Sequence, residues 1–265
     1  MPITLDGTNG ITQAGEFNSD SSFGFKNRII NGAMVIDQRN AGASVTPSSG
    51  NTYTLDRFKA TATQSSKFTV QQNAASITPP AGFTYYAGIT SASAYSVLST
   101  DHFEYGQNIE GFNVADLGWG TANAKTVTLS FQVYSSLTGT FGGTIQNSAQ
   151  TRSYPFSYSI PVANTWTQIS VTIAGDTTGT WLTTNGIGIR ATFNLGAGAT
   201  YSTTANAWAA GEYYAPTGAV SVVGTNGATW YITGVQLEVG STATSFDYRP
   251  YTTELQLAQR YYFKI

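Results

Sequence analysis

The sequence predicts an all-β protein, a jelly-roll β-sandwich carrying a short N-terminal attachment arm and a short C-terminal helix. Three observations lead there. Segments of five to nine residues alternate apolar and polar side chains, the period of a strand with one buried and one wet face. Turn chemistry separates them, as at Leu137-Thr138-Gly139, Ala163-Asn164 and Gly175-Asp176, and helical periodicity is almost absent. The apolar segment Thr229–Gly240, near the end of the chain, needs a partner, and Ile29–Gln38 near the start supplies one. A jelly roll lets first and last strands lie together. No fixed repeat is present, which disfavours a propeller or β-helix.

The composition narrows the function classes. A chain of 265 residues with 41% hydrophobic content can bury a large core without disulfides. There is no cysteine, which removes thiol catalysis, disulfide scaffolds and cysteine-based zinc sites. Charged residues make up 10% and the net charge is −2, with no basic stripe, so no nucleic-acid partner is expected. No apolar run approaches 18 residues and no secretion signal is read, so no membrane insertion is expected. No cofactor motif and no metal-ligand set stands out.

Three regions follow: an arm over residues 1–26, the sandwich over 27–251, and a helix with a packing tail over 252–265. The arm is polar and rich in Gly and Asn; Ile3, Leu5 and Ile11 could add a strand to a neighbouring subunit, or the segment is a flexible leader. In Ile29–Gln38, Asn31-Gly32 marks a bend. Tyr53–Ala62 and Lys67–Gln71 read as strands joined in a hairpin by Thr63–Ser66. Asp56-Arg57 reads as a structural ion pair at a strand end. Strands are also expected at Tyr85–Thr90, Tyr95–Ser99 and Phe103–Ile109, with a structured loop over Gly111–Ala124. Thr126–Tyr134 is the cleanest strand, with Val127, Leu129, Phe131 and Val133 on its core face. Arg152–Ile160, Trp166–Ile173 and Gly186–Leu195 repeat that pattern. Asn194–Gly227 is a long, weakly patterned insertion, a length usually functional or mobile. In the closing strand, Trp230 and Ile232 are out of step with Val235 and Leu237, and a bulge at Gly234 would return both pairs to the core. Thr253 and Gln256 form a capping-box pattern for a helix to about Gln259. The aromatic tail Arg260–Ile265 is expected to pack on something.

Several segments together resemble a widespread virion protein family of tailed phages. They are Lys26–Met34, Tyr53–Phe58, Ile109–Leu117 and Ile232–Gly240, joined by Asp247-Tyr248-Arg249-Pro250-Tyr251 and Gln259-Arg260-Tyr261-Tyr262. The resemblance implies the head of a tail fibre or other appendage, a homotrimer, and a virion location. The Gly-Thr-Asn-Gly leader resembles a fibre attachment region, which implies other virion tail proteins as partners. Asn31-Gly32 and Trp230-Tyr231-Ile232 resemble carbohydrate-binding jelly rolls more distantly, at the level of fold. Gln132 stands where such strands often carry Trp, and Ala258 where relatives often carry Cys.

Catalytic chemistry is thinly represented. His102, the one histidine, reads as a surface residue at a strand start or as a base oriented by Asp101. Glu104 and Glu110 read as solvated acids or as a glycosidase pair. Asp37 could contribute to a calcium site but lacks companions. No enzyme is expected. Binding rests on Trp208, Tyr213, Tyr214 and Trp119, whose flat apolar faces and polar tips suit sugar rings. Both tryptophans read equally as plugs closing the sandwich. The expected function is non-covalent recognition of a host-surface glycan; the alternative is a purely structural virion component.

Overall fold

A computed structural model describes residues 4–6, 10–13 and 25–264. Near the N-terminus, β1 (Thr4–Asp6) and β2 (Gly10–Gln13) pair antiparallel with each other. The rest of the expected arm up to residue 24, including Ile3, lies outside the described residues. The chain continues through β3 (Gly50–Tyr53), β4 (Phe58–Ala62), β5 (Phe68–Gln72), β6 (Ala87–Ser91) and β7 (His102–Glu110). Next come β8 (Val127–Ser135), β9 (Gly139–Gln146), β10 (Arg152–Ile160), β11 (Thr167–Ile173) and β12 (Ile187–Ala197). Three short strands follow, β13 (Ser202–Thr203), β14 (Ala209–Ala210) and β15 (Ala215–Pro216), then β16 (Thr229–Val239) and the helix α1 (Tyr251–Gln259).

The long strands form two sheets. One has the order β14-β10-β9-β12-β7-β4-β3 and the other β11-β8-β16-β6-β5. Their inner faces share one apolar core. Phe131 of β8 meets Phe193 of β12 edge to face at 4.9 Å, and Phe68 of β5 meets Phe103 of β7 at 6.5 Å. This is the β-sandwich that the alternating pattern predicts, with the helix at its C-terminal end. Among the described residues, no helix is long and apolar enough to cross a membrane.

The closing strand behaves as its sequence requires. Its register against β8 slips between Thr233 and Gln236, and Gly234 adopts a left-handed φ of 63° at the slip. Trp230, Ile232, Val235 and Leu237 consequently all reach the core, whereas Val239 is exposed.

Ile29–Gln38 does lie along β16, but not as a strand. Asn31 and Met34 have positive φ, and the Met34 N–H turns back to the Asn31 carbonyl. The Asn31 side chain bonds both main-chain groups of Ile36, which locks the bend. The segment meets β16 just past the bulge. There Val235 N–H donates to the Gly32 carbonyl and Arg28 N–H to the Leu237 carbonyl. The Asn27 side chain adds bonds to Val235 O and Leu237 N.

Other expectations are corrected. Tyr53–Ala62 is two strands, because the turn at Thr54–Arg57, with Arg57 at φ 71°, folds it into the β3–β4 hairpin. Thr63–Ser66 does not close a hairpin, since β4 and β5 belong to different sheets. Asp56 and Arg57 do not pair with each other. Asp56 accepts bonds from Gln38, and Arg57 lies over the Tyr261 ring at 3.4 Å. Tyr95–Ser99 is not a strand, and β9 forms where only a turn is expected. The expected capping box is not formed: the helix starts at Tyr251 with Pro250, which has no side-chain acceptor, at its N-cap, so Thr253 and Gln256 lie inside the helix. The tail packs on its own chain: Arg260 and Tyr261 bond Glu110, and Arg39 covers Tyr262.

A Cβ on Gly32 would run into the Val235 carbonyl oxygen, a backbone atom held in place by the strand. Gly32→Ala is therefore expected to destabilise the fold by about 1–3 kcal/mol, the range for steric overpacking. A urea titration of both proteins checks it, and an unchanged midpoint would show that the segment adapts freely.

Candidate functional site

The alternation that sends Phe103, Tyr105, Ala191, Phe193 and Ile145 into the core sends polar residues to the opposite face of the seven-stranded sheet. Register aligns them across strands. Lys59 faces Gly106, Gly106 faces Thr192, and Thr192 faces Thr144. One step along, Asn108, Arg190, Gln146 and Ser153 form a second row. On the other side, Asn51, Thr61, Glu104 and Asn194 form a third. Such a face ordinarily meets water. Here most of it is buried, since Thr144, Gln146 and Ser153 are 0% exposed and Glu104 is 3% exposed.

The cover comes from the insertion after β12. Its strands β13 and β15 pair in parallel, and β14 adds to the edge at β10. The segment between them carries Tyr214, whose ring stacks on His102 at 4.2 Å with planes 14° apart. Tyr201 meets both rings edge on. The Tyr214 hydroxyl bonds Glu212 and Gln150. Burial, with Glu104 and Glu212 close by, pushes that phenol well above its ordinary value.

Beneath the cover lies a cavity of about 150 Å³ lined by Asn51, Lys59, Thr61, Glu104, Gln146, Gln150, Arg190, Thr192 and Tyr214. That is roughly ten times the space one water needs. Several polar atoms of this face are buried with no hydrogen-bond partner: Thr192 Oγ1, Thr144 Oγ1, Gln146 Oε1 and Asn108 Oδ1. Each such group costs about 1–3 kcal/mol while unpaired. Each calls for a partner that the described residues do not supply. The charges are unevenly satisfied. Glu104 is held by His102 Nδ1 at 2.8 Å, while among the described residues Lys59 Nζ donates to Asn51 Oδ1 alone, at 2.7 Å. The Arg190 guanidinium donates to a single carbonyl, Ser148 O, at 3.3 and 3.4 Å.

The four residues read from the sequence separate into two places. Tyr214 lines the cavity. Tyr213 folds against Gly211, and its main chain bonds Ser153 and Gln146. Trp119 and Trp208 join Trp181 in a trio of edge-to-face indoles, with centroids 4.7–5.5 Å apart. Each indole N–H donates to a main-chain carbonyl: Lys125 for Trp119, Thr178 for Trp181 and Ala174 for Trp208. This trio packs the end of the sandwich, and Arg152 closes it by pairing with Asp176 at 2.7 and 2.9 Å.

The candidate catalytic groups are differently placed than expected. Asp101 does not orient His102; its carboxylate accepts bonds from Tyr95, Thr63, Gln64 and the Leu98 N–H. His102 is not a free surface residue but is stacked and bonded to Glu104. Glu104 and Glu110 lie six residues apart on the single strand β7, about 20 Å at strand rise, far beyond the reach of a glycosidase pair. Asp37 caps a turn by accepting the Asn40 and Gly42 N–H groups. The cavity residues Lys59, Gln146, Arg190 and Thr192 escaped the sequence reading, because polar residues at alternate strand positions look like an ordinary solvated face. Only strand register reveals their convergence.

Burial alone would raise the Asp176 carboxyl, but its bonds from Arg152 and Thr178 outweigh that and hold it below the ordinary carboxylate value. A depressed folded pKa stabilises the protein above the unfolded value of about 3.9, and the contribution fades as pH falls through the folded value. Asp176→Asn should therefore lower Tm at neutral pH and flatten its decline below about pH 4. Parallel acid limbs for the two proteins, measured by thermal melts, would refute the linkage.

No family model and no curated protein matches the chain by sequence. Solved structures show weak likeness. A family 11 carbohydrate-binding module of a Clostridium thermocellum cellulase is 9% identical over 76% of this chain and 98% of its own, at a TM-score of 0.36. A xylan-binding domain of Paenibacillus barcinonensis is 10% identical over 77% of this chain and 99% of its own, at a TM-score of 0.35. The enzymatically active domain of tailspike protein 4 from bacteriophage CBA120 is 11% identical over 81% of this chain, at a TM-score of 0.40. This chain spans only 22% of that domain's length. Likeness of this strength assigns no ligand or activity to this chain, whose architecture rests on its own strand order.

Proposed function

We propose that this protein is a carbohydrate-recognition head of a tailed-phage fibre or appendage, binding a host-surface glycan in the cavity under Tyr214. The observation that carries this reading is the set of buried, unpartnered polar atoms at Thr192, Thr144 and Gln146 on one sheet face. Threonine hydroxyls both donate and accept, as sugar hydroxyls do, and an amide oxygen accepts. Tyr214 adds an aromatic ring to the lining, held in place by His102 and by the Glu212 and Gln150 bonds to its hydroxyl. The strands fix these groups before any ligand arrives, which lowers the ordering cost of binding. Binding without turnover fits the separation of Glu104 from Glu110 and the engagement of Glu104 by His102. The phage setting rests on the sequence segments that resemble virion appendages.

A second reading has its own support. Phe25, Phe112, Tyr248 and Tyr251 are exposed around two hollows that share Asn27 and Arg249. An apolar rim of this kind suits a protein neighbour, as in a structural adaptor or in the trimer that the resemblance implies. In the trimer, three weak sugar sites act together and raise avidity.

Two measurements test these readings. On an array of bacterial surface polysaccharides the protein should bind a subset without shortening the chains. Thr192→Val, which keeps shape and removes the hydroxyl, should weaken that binding about tenfold. Failure to bind any glycan would overturn the recognition reading. Light scattering of the protein in solution should give a mass near three times 28.1 kDa. A monomer would favour the adaptor reading.

A further inference from the structure

The cavity has a sign as well as a shape. Lys59 and Arg190 both line it, and among the described residues neither has a carboxylate within 4.0 Å. Lys59 is only 6% exposed, and among the described residues its ammonium donates to one asparagine oxygen. Burying a cation with so little compensation is unfavourable unless a counter-charge arrives. Burial lowers the Lys59 pKa; Glu104 opposes that shift and the positive charge of Arg190 adds to it, so the two cations feel each other. The carboxylate in the lining, Glu104, is already bonded to His102, and Glu212 is engaged at the Tyr214 hydroxyl outside the lining. Two cations therefore face one committed carboxylate. Next to them stand the unpartnered Thr192 hydroxyl and Gln146 carbonyl, which suit sugar hydroxyls rather than further charge.

We infer that the glycan taken by this cavity is acidic, with a singly charged anionic group of one sugar unit seated between Lys59 and Arg190. The inference rests on the glycan-recognition reading and narrows it to a substrate class. Carboxylate and phosphodiester groups share the required chemistry. Arg190 can meet either through two parallel N–H bonds, while Lys59 acts as a point charge.

The test uses capsular polysaccharides bearing uronic acids, each beside its carboxyl-reduced form, together with phosphodiester-linked surface polymers and their neutral backbones. Binding is followed by calorimetry with the full chain. The charged form in at least one pair should bind about tenfold or more tightly than its neutral counterpart, and weaken as salt rises. Which pair responds identifies the anionic group. Arg190→Gln and Lys59→Gln should remove that preference. Arg190→Lys should retain part of it, which separates lost charge from lost folding. Equal binding of charged and neutral forms would overturn this inference and leave glycan recognition standing. No binding of any form would overturn both.

Discussion

The slip in register at Thr233–Gln236 is the constraint on which the rest of the sandwich depends. Before it, β16 sits between β8 and β6, pairing with β6 only through Ile232. After it, β8 continues on one side, and the other edge would be bare. The segment from Asn27 to Gly32 takes that edge, using one main-chain bond at Gly32, one at Arg28 and the two ends of the Asn27 amide. An unpaired strand edge in the middle of a sheet is unfavourable because its buried N–H and C=O groups need partners. Val235 and Leu237, two residues apart, present this edge, and the N-terminal segment turns away beyond it at Asn31 and Met34, whose φ is positive. The same segment is then clamped from outside by Arg249, which bonds the Ile29 and Asn27 carbonyls and pairs with Glu254. The segments around Asn27–Gly32 and Arg249–Glu254 are in this way held together beside the closing strand.

With the core face set, strand periodicity leaves no freedom about the other face of the seven-stranded sheet. Every residue that completes the core at Phe103, Tyr105 or Phe193 has neighbours that must point away from it. A solvated face would need nothing more. This one is instead covered by the insertion after β12, and covering it desolvates Lys59, Glu104, Thr144, Gln146 and Thr192 together. Some are compensated internally, as Glu104 is by His102. Those left unpaired are concentrated around Thr192 and Gln146, where the cavity lies. Stability alone would favour apolar residues or complete hydrogen bonding at such positions. The incomplete pairing makes sense as a surface completed by something else.

Much of the sandwich was legible in the sequence because one-sided burial writes itself as alternation. The strands β8, β10, β11 and β12 fall within one or two residues of their expected places, and the bulge at Gly234 shows in the change of parity around it. What escaped did so for physical reasons. β9 begins Gly-Thr-Phe-Gly-Gly-Thr, a composition that reads as turn; its glycines sit where Pro216 and the Phe156 ring press against the strand. Ile29–Gln38 is apolar enough to be a strand, but two residues with positive φ make it a hook. The hairpin expected across Thr63–Ser66 fails because the chain changes sheets there, which no local pattern records. The cavity residues were invisible for a further reason. Their alignment belongs to pairings between strands up to about 130 residues apart, such as Lys59 reaching Thr192 through Gly106.

The aromatic residues divide according to what lies beside their rings. In the trio of Trp119, Trp181 and Trp208, every indole N–H meets a carbonyl of the chain, and the rings meet one another edge to face. Nothing polar is left over, so the trio is complete in itself. Tyr214 is different in kind. One face of its ring is taken by His102, and its hydroxyl is held by Glu212 and Gln150, yet the residue still lines a cavity whose floor is polar and partly unpaired. The stacking holds the ring in a fixed orientation, and the sheet fixes the floor. A site made this way loses little conformational freedom when it is filled. The long insertion that looked structureless in the sequence contributes to this difference, because it covers part of an otherwise wet sheet face.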